Sequence, residues 1–269
     1  MYETATGTKR GPRLARAGVA VGVLAAMFSI LWAANRRGEI DLSGLGQAYF
    51  RRDIIEVMWP AFAKGALRTI QLAASAEIAG VVLGLVLAVF VISKNPLVRI
   101  PAKAYIDFFR GTPLLMQLLV ISFGLPFIGI RLDPFPAGVI GLTLNSAAYV
   151  AEIFRAGIQS IDKGQTEAAQ SLGMPQATTM IFVVIPQAVR RVIPPLMNEF
   201  IALLKDSSLV AVLGATIAER ELLRVARDGA AAFVSATPYV MASIAYLLMT
   251  VPLTALVGRL ENRLSREKG

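Results

Sequence analysis

The sequence predicts an all-α integral membrane protein, on three observations: a high apolar content, long runs without charge, and basic residues gathered at the ends of those runs. Of 269 residues, 55% are apolar, and the mean hydropathy is +0.61, more than a water-soluble domain of this size carries. A helix crosses the bilayer core with roughly 20 consecutive apolar residues. Residues 17–35, 111–130 and 229–258 are the cleanest candidates, since no charge interrupts them. Residues 69–93 carry Glu77, residues 134–151 are uncharged but short, and residues 192–218 carry Glu199, Lys205 and Asp206. A charged side chain in hydrocarbon is costly, so the windows that hold one are expected to line an interior rather than face lipid.

The window at 17–35 follows Lys9, Arg10, Arg13 and Arg16. Its length exceeds that of a secretory signal's apolar region and no small-residue cleavage site follows, so it reads as a retained helix. With the N-terminus inside, 16 of the 27 basic residues fall on cytoplasmic segments, which favours six spans with both termini cytoplasmic. The exception is residues 35–68, which must then be external yet hold Arg36, Arg37, Arg51, Arg52 and Lys64. An interfacial helix near residues 54–67, its bulky apolar side chains interleaved with charges, accommodates them.

Several functional classes fall away. The net charge of +9 is spread over helix ends rather than one compact face, so it reads as membrane topology and not as a nucleic-acid surface. Cysteine and histidine are both absent, which removes thiolate metal sites and the commonest general base. No G-x-x-x-x-G-K-[ST] stretch is present, so neither ATP nor Mg is expected on this chain.

The most informative segment is residues 161–195. Residues 165–172 mix good helix formers, with Gly164 or Thr166 near the start, Gly173 placed as a C-terminal cap and Pro175 preventing continuation. Glu167 can take a basic or amide partner, and Ala168 and Ala169 are small enough for a second protein's backbone to approach. On residue chemistry alone this is either an ordinary surface helix or a docking key.

Glu167, Ala168, Ala169, Gly173, Val183, Ile185 and Pro186 resemble the EAA signature of bacterial ABC importer permeases. Residues 108–126, 146–161 and 194–214 are similar to the polar amino acid branch of that family, which serves histidine, glutamine, glutamate and arginine. The resemblance covers residues 61–260. It implies a five-helix permease core there with a coupling helix near 161–176, preceded at 1–60 by a tail, one extra transmembrane helix and an external loop, and followed by a cytoplasmic tail at 261–269. It implies a bacterial inner-membrane subunit that forms the path of a polar amino acid. It also implies three kinds of partner: an ABC ATPase pair that holds ATP and Mg, a second permease chain, and an extracytoplasmic binding protein. In the family the EAA helix sits in a cleft of the ATPase, a role that falls here on Glu167, Ala168, Ala169 and Gly173.

The candidates for the substrate path are Asn198, Glu199, Lys205 and Asp206. A membrane carboxylate marks function by default, and Glu199 either receives a substrate cation or pairs internally with Arg68 or Lys205. The Asn198–Glu199 pair is similar to that of permeases for basic amino acids. Glu77, beside Ala74, Ser75 and Ala76, reads instead as close helix packing. Glu152 and Arg155 are spaced to pair on one helix face. A secondary transporter would leave the segment at 161–195 unexplained, and a membrane enzyme would lack a paired catalytic motif. A structural subunit whose sister chain holds the substrate stays open.

Overall fold

The computed structural model of the protein describes residues 22, 26, 29–38, 42–214 and 219–266. It divides into a unit ending at Arg51 and a larger one beginning at Arg52. In the first, residues 29–36 form α1 and Leu42–Tyr49 forms α2. The Arg36 guanidinium lies 4.0 Å over the Trp32 ring, a cation–π contact. Most of the expected first span, namely residues 17–21, 23–25, 27 and 28, lies outside the described residues, as do 215–218 of the fifth window and 267–269 of the tail.

The larger unit begins with α3, Arg52–Ile92, an unbroken helix of 41 residues that passes through Pro60. At 1.5 Å per residue it is about 60 Å long, twice the hydrocarbon thickness of about 30 Å. The helix expected near residues 54–67 is present and runs on without a break as the first half of α3. Ile54, Met58 and Phe62 are buried on the same face as Thr69 and Leu72, so one packing stripe carries the helix through.

Asn95 caps α4 (Pro96–Gly111) by accepting from the Leu97 amide at 3.0 Å, with Pro96 in the first turn where no N–H is missed. Next comes α5 (Leu114–Leu119), extended by a π turn at Val120–Gly124 and a 3-10 turn at Leu125–Ile128. The two meet at 105°, because Pro113 has no N–H with which to continue α4. The window at 111–130 is thus the second limb of a bent pair. Side chains serve the carbonyls exposed at the bend. Gln117 Nε2 lies 2.9 Å from the Phe109 carbonyl and 2.8 Å from Thr112 Oγ1. Asn145 Nδ2 donates to Gln117 Oε1 at 3.0 Å and lies 3.2 Å from the Phe109 carbonyl. Asn145 belongs to α6, so the bend is fastened to the centre of the fold.

That centre is α6 (Pro134–Gln159), buried on Gly138, Gly141, Asn145, Ser146, Ala147, Ala148 and Ala151, among others. The short helix α7 (Lys163–Ser171) follows. Then α8 (Gln176–Thr179) passes through a π turn at Met180–Val184 into α9 (Ile185–Asp206) and a 3-10 turn at Ser207–Leu213. This helical run begins at Gln176, earlier than the expected window at 192–218. The wide π turn sits directly before Pro186 and absorbs the amide that proline lacks.

The uncharged window at 229–258 is also corrected: it contains a break between α10 (Leu222–Phe233) and α11 (Thr237–Arg266). Val234 turns the chain with φ of +47°, and the Ser235 hydroxyl oxygen accepts from the Thr237 amide at 3.2 Å. Among the described residues four helical runs are long and apolar enough to cross a membrane, and the bent α4–α5 pair makes a fifth.

Helices in lipid gain little from apolar burial and associate by close fit at small residues. A Cβ on Gly84 of α3 would stand 2.6 Å from Val150 Cγ1 and 2.9 Å from the Ala147 carbonyl of α6, and one on Gly80 would stand 3.1 Å from Ser146 Oγ. Gly84→Leu should therefore force α3 off α6, at about 1–3 kcal/mol or more. A loss of folded protein in detergent and a lower unfolding temperature are expected. Gly258→Ala, with nothing within 4 Å of its new carbon, should match the native protein in both.

Candidate functional site

Two places carry the residues singled out in the sequence. The first is α7. Asp162, rather than Gly164 or Thr166, caps its start by accepting from the Gly164 amide at 2.8 Å. At its end the Gly173 amide donates to Gln170 O at 2.9 Å and the Met174 amide to Ala169 O at 3.1 Å, a Schellman pairing with Gly173 left-handed at φ +84°. Both ends are thus fixed and the helix is rigid for its length. Glu167, Ala168 and Gly173 are exposed, whereas Ala169 is buried against its own chain. Ala169 therefore packs within its own chain, and Glu167, Ala168 and Gly173 are the exposed members of the expected set. The sequence reading missed Leu172, 85% exposed beside Gly173, although a leucine just ahead of a capping glycine outside any apolar run was the available signal.

The second place is a cavity of about 470 Å³ between the end of α4, the last turns of α6 and the middle of α9. Its lining includes Glu199 and Arg191 of α9, Arg110 of α4, and Tyr149, Glu152 and Ser160 at the end of α6. Glu199 is half-buried there, and among the described residues no lysine or arginine pairs with it. The expected alternatives, Arg68 and Lys205, are engaged elsewhere or exposed: Arg68 donates to Gln71 at 3.0 Å and lies 5.7 Å over Phe135, and Lys205 faces outward. Of the other candidates, Asn198 is exposed and Asp206 half-buried at the end of α9; neither they nor Lys205 line the cavity with Glu199.

Glu77 stands closer to Glu199 than sequence separation suggests. The fully buried hydroxyl of Ser146 donates to Glu77 Oε2 at 3.4 Å. Ser146 was not singled out in the sequence, where it is one small residue among several.

The mouth of the cavity is basic. Arg155 grips Glu152 through both carboxylate oxygens, at 2.7 and 3.0 Å, as their spacing predicted. Arg110 stands 3.7 Å from Glu152 and 5.4 Å over the Tyr149 ring. Arg191 donates to the Ser160 carbonyl, joining α9 to the end of α6. Chemically, the cavity lining offers two carboxylates, Glu199 and the Arg155-bound Glu152, with the guanidinium groups of Arg110 and Arg191, and the described residues contain no group of side chains able to hold a metal ion.

Comparison with known proteins gives the chain its relatives. The arginine transport system permease protein ArtQ of Bacillus subtilis is 40% identical over 207 residues, which covers 76% of this chain and 93% of that protein. A Rickettsia prowazekii protein that bears the name of a glutamine transport system permease, GlnP, is 43% identical over 165 residues, or 61% of this chain and 74% of its own length. Among solved structures, an amino acid ABC transporter crystallised with histidines superposes with a TM-score of 0.74 at 41% identity, covering 78% of this chain and 96% of its own. Residues 80–266 match the family described as binding-protein-dependent transport system inner membrane component, and the chain belongs to that family of ABC importer permeases.

Proposed function

We propose that this protein is the path-forming permease of an ATP-driven importer for a polar amino acid, a basic one in particular. The observation that carries the reading is α7: a short helix capped at both ends, presenting Glu167, Ala168 and an exposed Leu172 beside Gly173. It is the part of the chain suited to seat in another protein's cleft. In this reading the ATPase subunits below hold ATP and Mg, a second permease chain completes the path, and an extracytoplasmic binding protein delivers the amino acid. Residues 1–60 supply a tail, an additional span and an external loop, residues 61–260 the permease core, and residues 261–269 a cytoplasmic tail. That gives six spans with both termini inside, the arrangement the distribution of basic residues favours.

ATP-driven closure of the ATPase pair would move α7 and turn the cavity outward, and hydrolysis would reset it. Glu199 is the ligand for the substrate's cationic group, with Asn198, Lys205 and Asp206 further along the same path. Its support is the unpaired, half-buried carboxylate in the cavity wall, together with the arginine named for the ArtQ relative.

Two outcomes are expected. Gly173→Val places a branched side chain at φ +84°, a strain of about 1–3 kcal/mol, and with Glu167→Lys should reduce co-purification of the ATPase and uptake together. Retention of both would refute the docking role of α7. In vesicles holding the permease, its ATPase and its binding protein, Glu199→Gln should lower uptake of arginine or histidine about ten-fold or more, the worth of one charge-assisted hydrogen bond. Glutamine uptake should change less, and unaltered selectivity would make Glu199 structural.

A further inference from the structure

The cavity that holds Glu199 has a second, oppositely charged feature whose role the reading above does not assign. Arg110 donates no hydrogen bond to any described residue; its nearest acid is Glu152, at 3.7 Å, and its face rests on Tyr149. Glu152 is already engaged by Arg155 through both of its oxygens, and its charge is shared between the two guanidinium groups. A guanidinium carries five N–H donors in a fork that fits a carboxylate. Arg110 thus arrives at the cavity wall with its charge countered only at a distance and its donors uncommitted. Arg191 differs in that one of its donors is given to the Ser160 carbonyl, which fixes it against the end of α6.

We infer that Arg110 receives the α-carboxylate of the substrate while Glu199 holds its cationic group, so that the cavity selects a zwitterionic amino acid rather than an amine. The inference rests on Glu199 being a substrate ligand. Dimensions agree with it. Arg191 and Glu199 are eight positions apart on α9 and both line the cavity, which therefore extends about 12 Å along that helix, enough for an extended amino acid with a hydrogen bond at each end. Tyr149 positions Arg110 through its ring, and Arg155 keeps Glu152 from competing for it.

The test uses the purified complex of permease and ATPase without the binding protein, so that only this chain's site is read. Radiolabelled arginine, histidine and glutamine are bound, and each is competed with its decarboxylated counterpart: agmatine, histamine and 4-aminobutanamide. The native complex should prefer the amino acid to its amine about ten-fold or more. In Arg110→Gln the two should bind about equally, through loss of amino acid affinity. Arg191→Gln should keep the native preference. Equal binding of acid and amine by the native complex, or an unchanged preference in Arg110→Gln, overturns the inference. If Arg110→Gln does not assemble, Arg110→Lys decides: without the fork the preference should fall several-fold, and a native preference there also overturns it. Native binding of all ligands by Glu199→Gln would instead refute the reading of Glu199, and a native complex that binds none of the ligands would refute both.

Discussion

The close approach of α3 to α6 is the constraint on which the other arrangements rest. Gly80 and Gly84 let the helices meet where Ser146, Ala147 and Val150 stand, with no room for a side chain on the α3 side. Three buried clusters are built outward from that contact. Leu72 and Ala76 pack with Leu142, Leu204 and Val210; Ile54 and Phe62 pack with Leu222, Ala226 and Ala242; and Leu87 and Ala88 pack with Ala102, Ile106 and Ala151. α3 belongs to all three, so its position relative to α6 sets where α4, α9, α10 and α11 can sit. The same contact brings Glu77 of α3 beneath Ser146 of α6 and within the surroundings of Glu199 on α9.

A second constraint is the treatment of backbone groups at helix breaks, which lipid cannot satisfy. The 105° bend between α4 and α5 would leave carbonyls exposed, and Gln117, Thr112 and Asn145 collect them. At the far side, the Leu222 amide donates to Thr69 Oγ1 at 3.0 Å. The buried Glu221 carboxylate accepts from the Leu223 amide at 2.6 Å and from the Tyr246 hydroxyl at 3.2 Å. These polar knots tie α10 to α3 and α11. They give Thr69, Gln117, Asn145, Glu221 and Tyr246 a structural use in an otherwise apolar setting.

The sequence conveyed class and order well and breaks poorly, for a physical reason. Apolar runs report contact with lipid or core, so the central spans emerged, and the helix formers between Asp162 and Gly173 marked α7 closely. A charge count says nothing of a turn inside an uncharged run, which hid the break at Val234 within residues 229–258. Nor does it see a helix that enters a long stripe through charged residues, as α3 does from Arg52. At the site, Glu199 was legible because a carboxylate in an apolar run is conspicuous, and the pairing of Glu152 with Arg155 followed from helical spacing. Arg110, Tyr149 and Arg191 were not legible as parts of one cavity, because only the packing of α4 and α9 on α6 brings them together. Ala168 and Ala169 look alike in the sequence for the same reason, and only the fold distinguishes the exposed one from the buried one.

The remaining connection is mechanical. α7 is joined to α6 by three residues, Ser160 to Asp162, and Ile161 among them is buried with Val184 and Ala188, at the π turn and the start of α9. Arg191 ties the next turn of α9 back to the Ser160 carbonyl at the end of α6. A displacement of α7 therefore reaches both walls of the cavity at once, α6 through the chain and α9 through the buried cluster. The prolines at 194 and 195 lie between that cluster and Glu199. Each removes a backbone hydrogen bond from α9 and lowers the cost of bending it. The helix that bears the carboxylate is thus easier to bend just before Glu199, where a small movement below becomes a change of angle at the cavity.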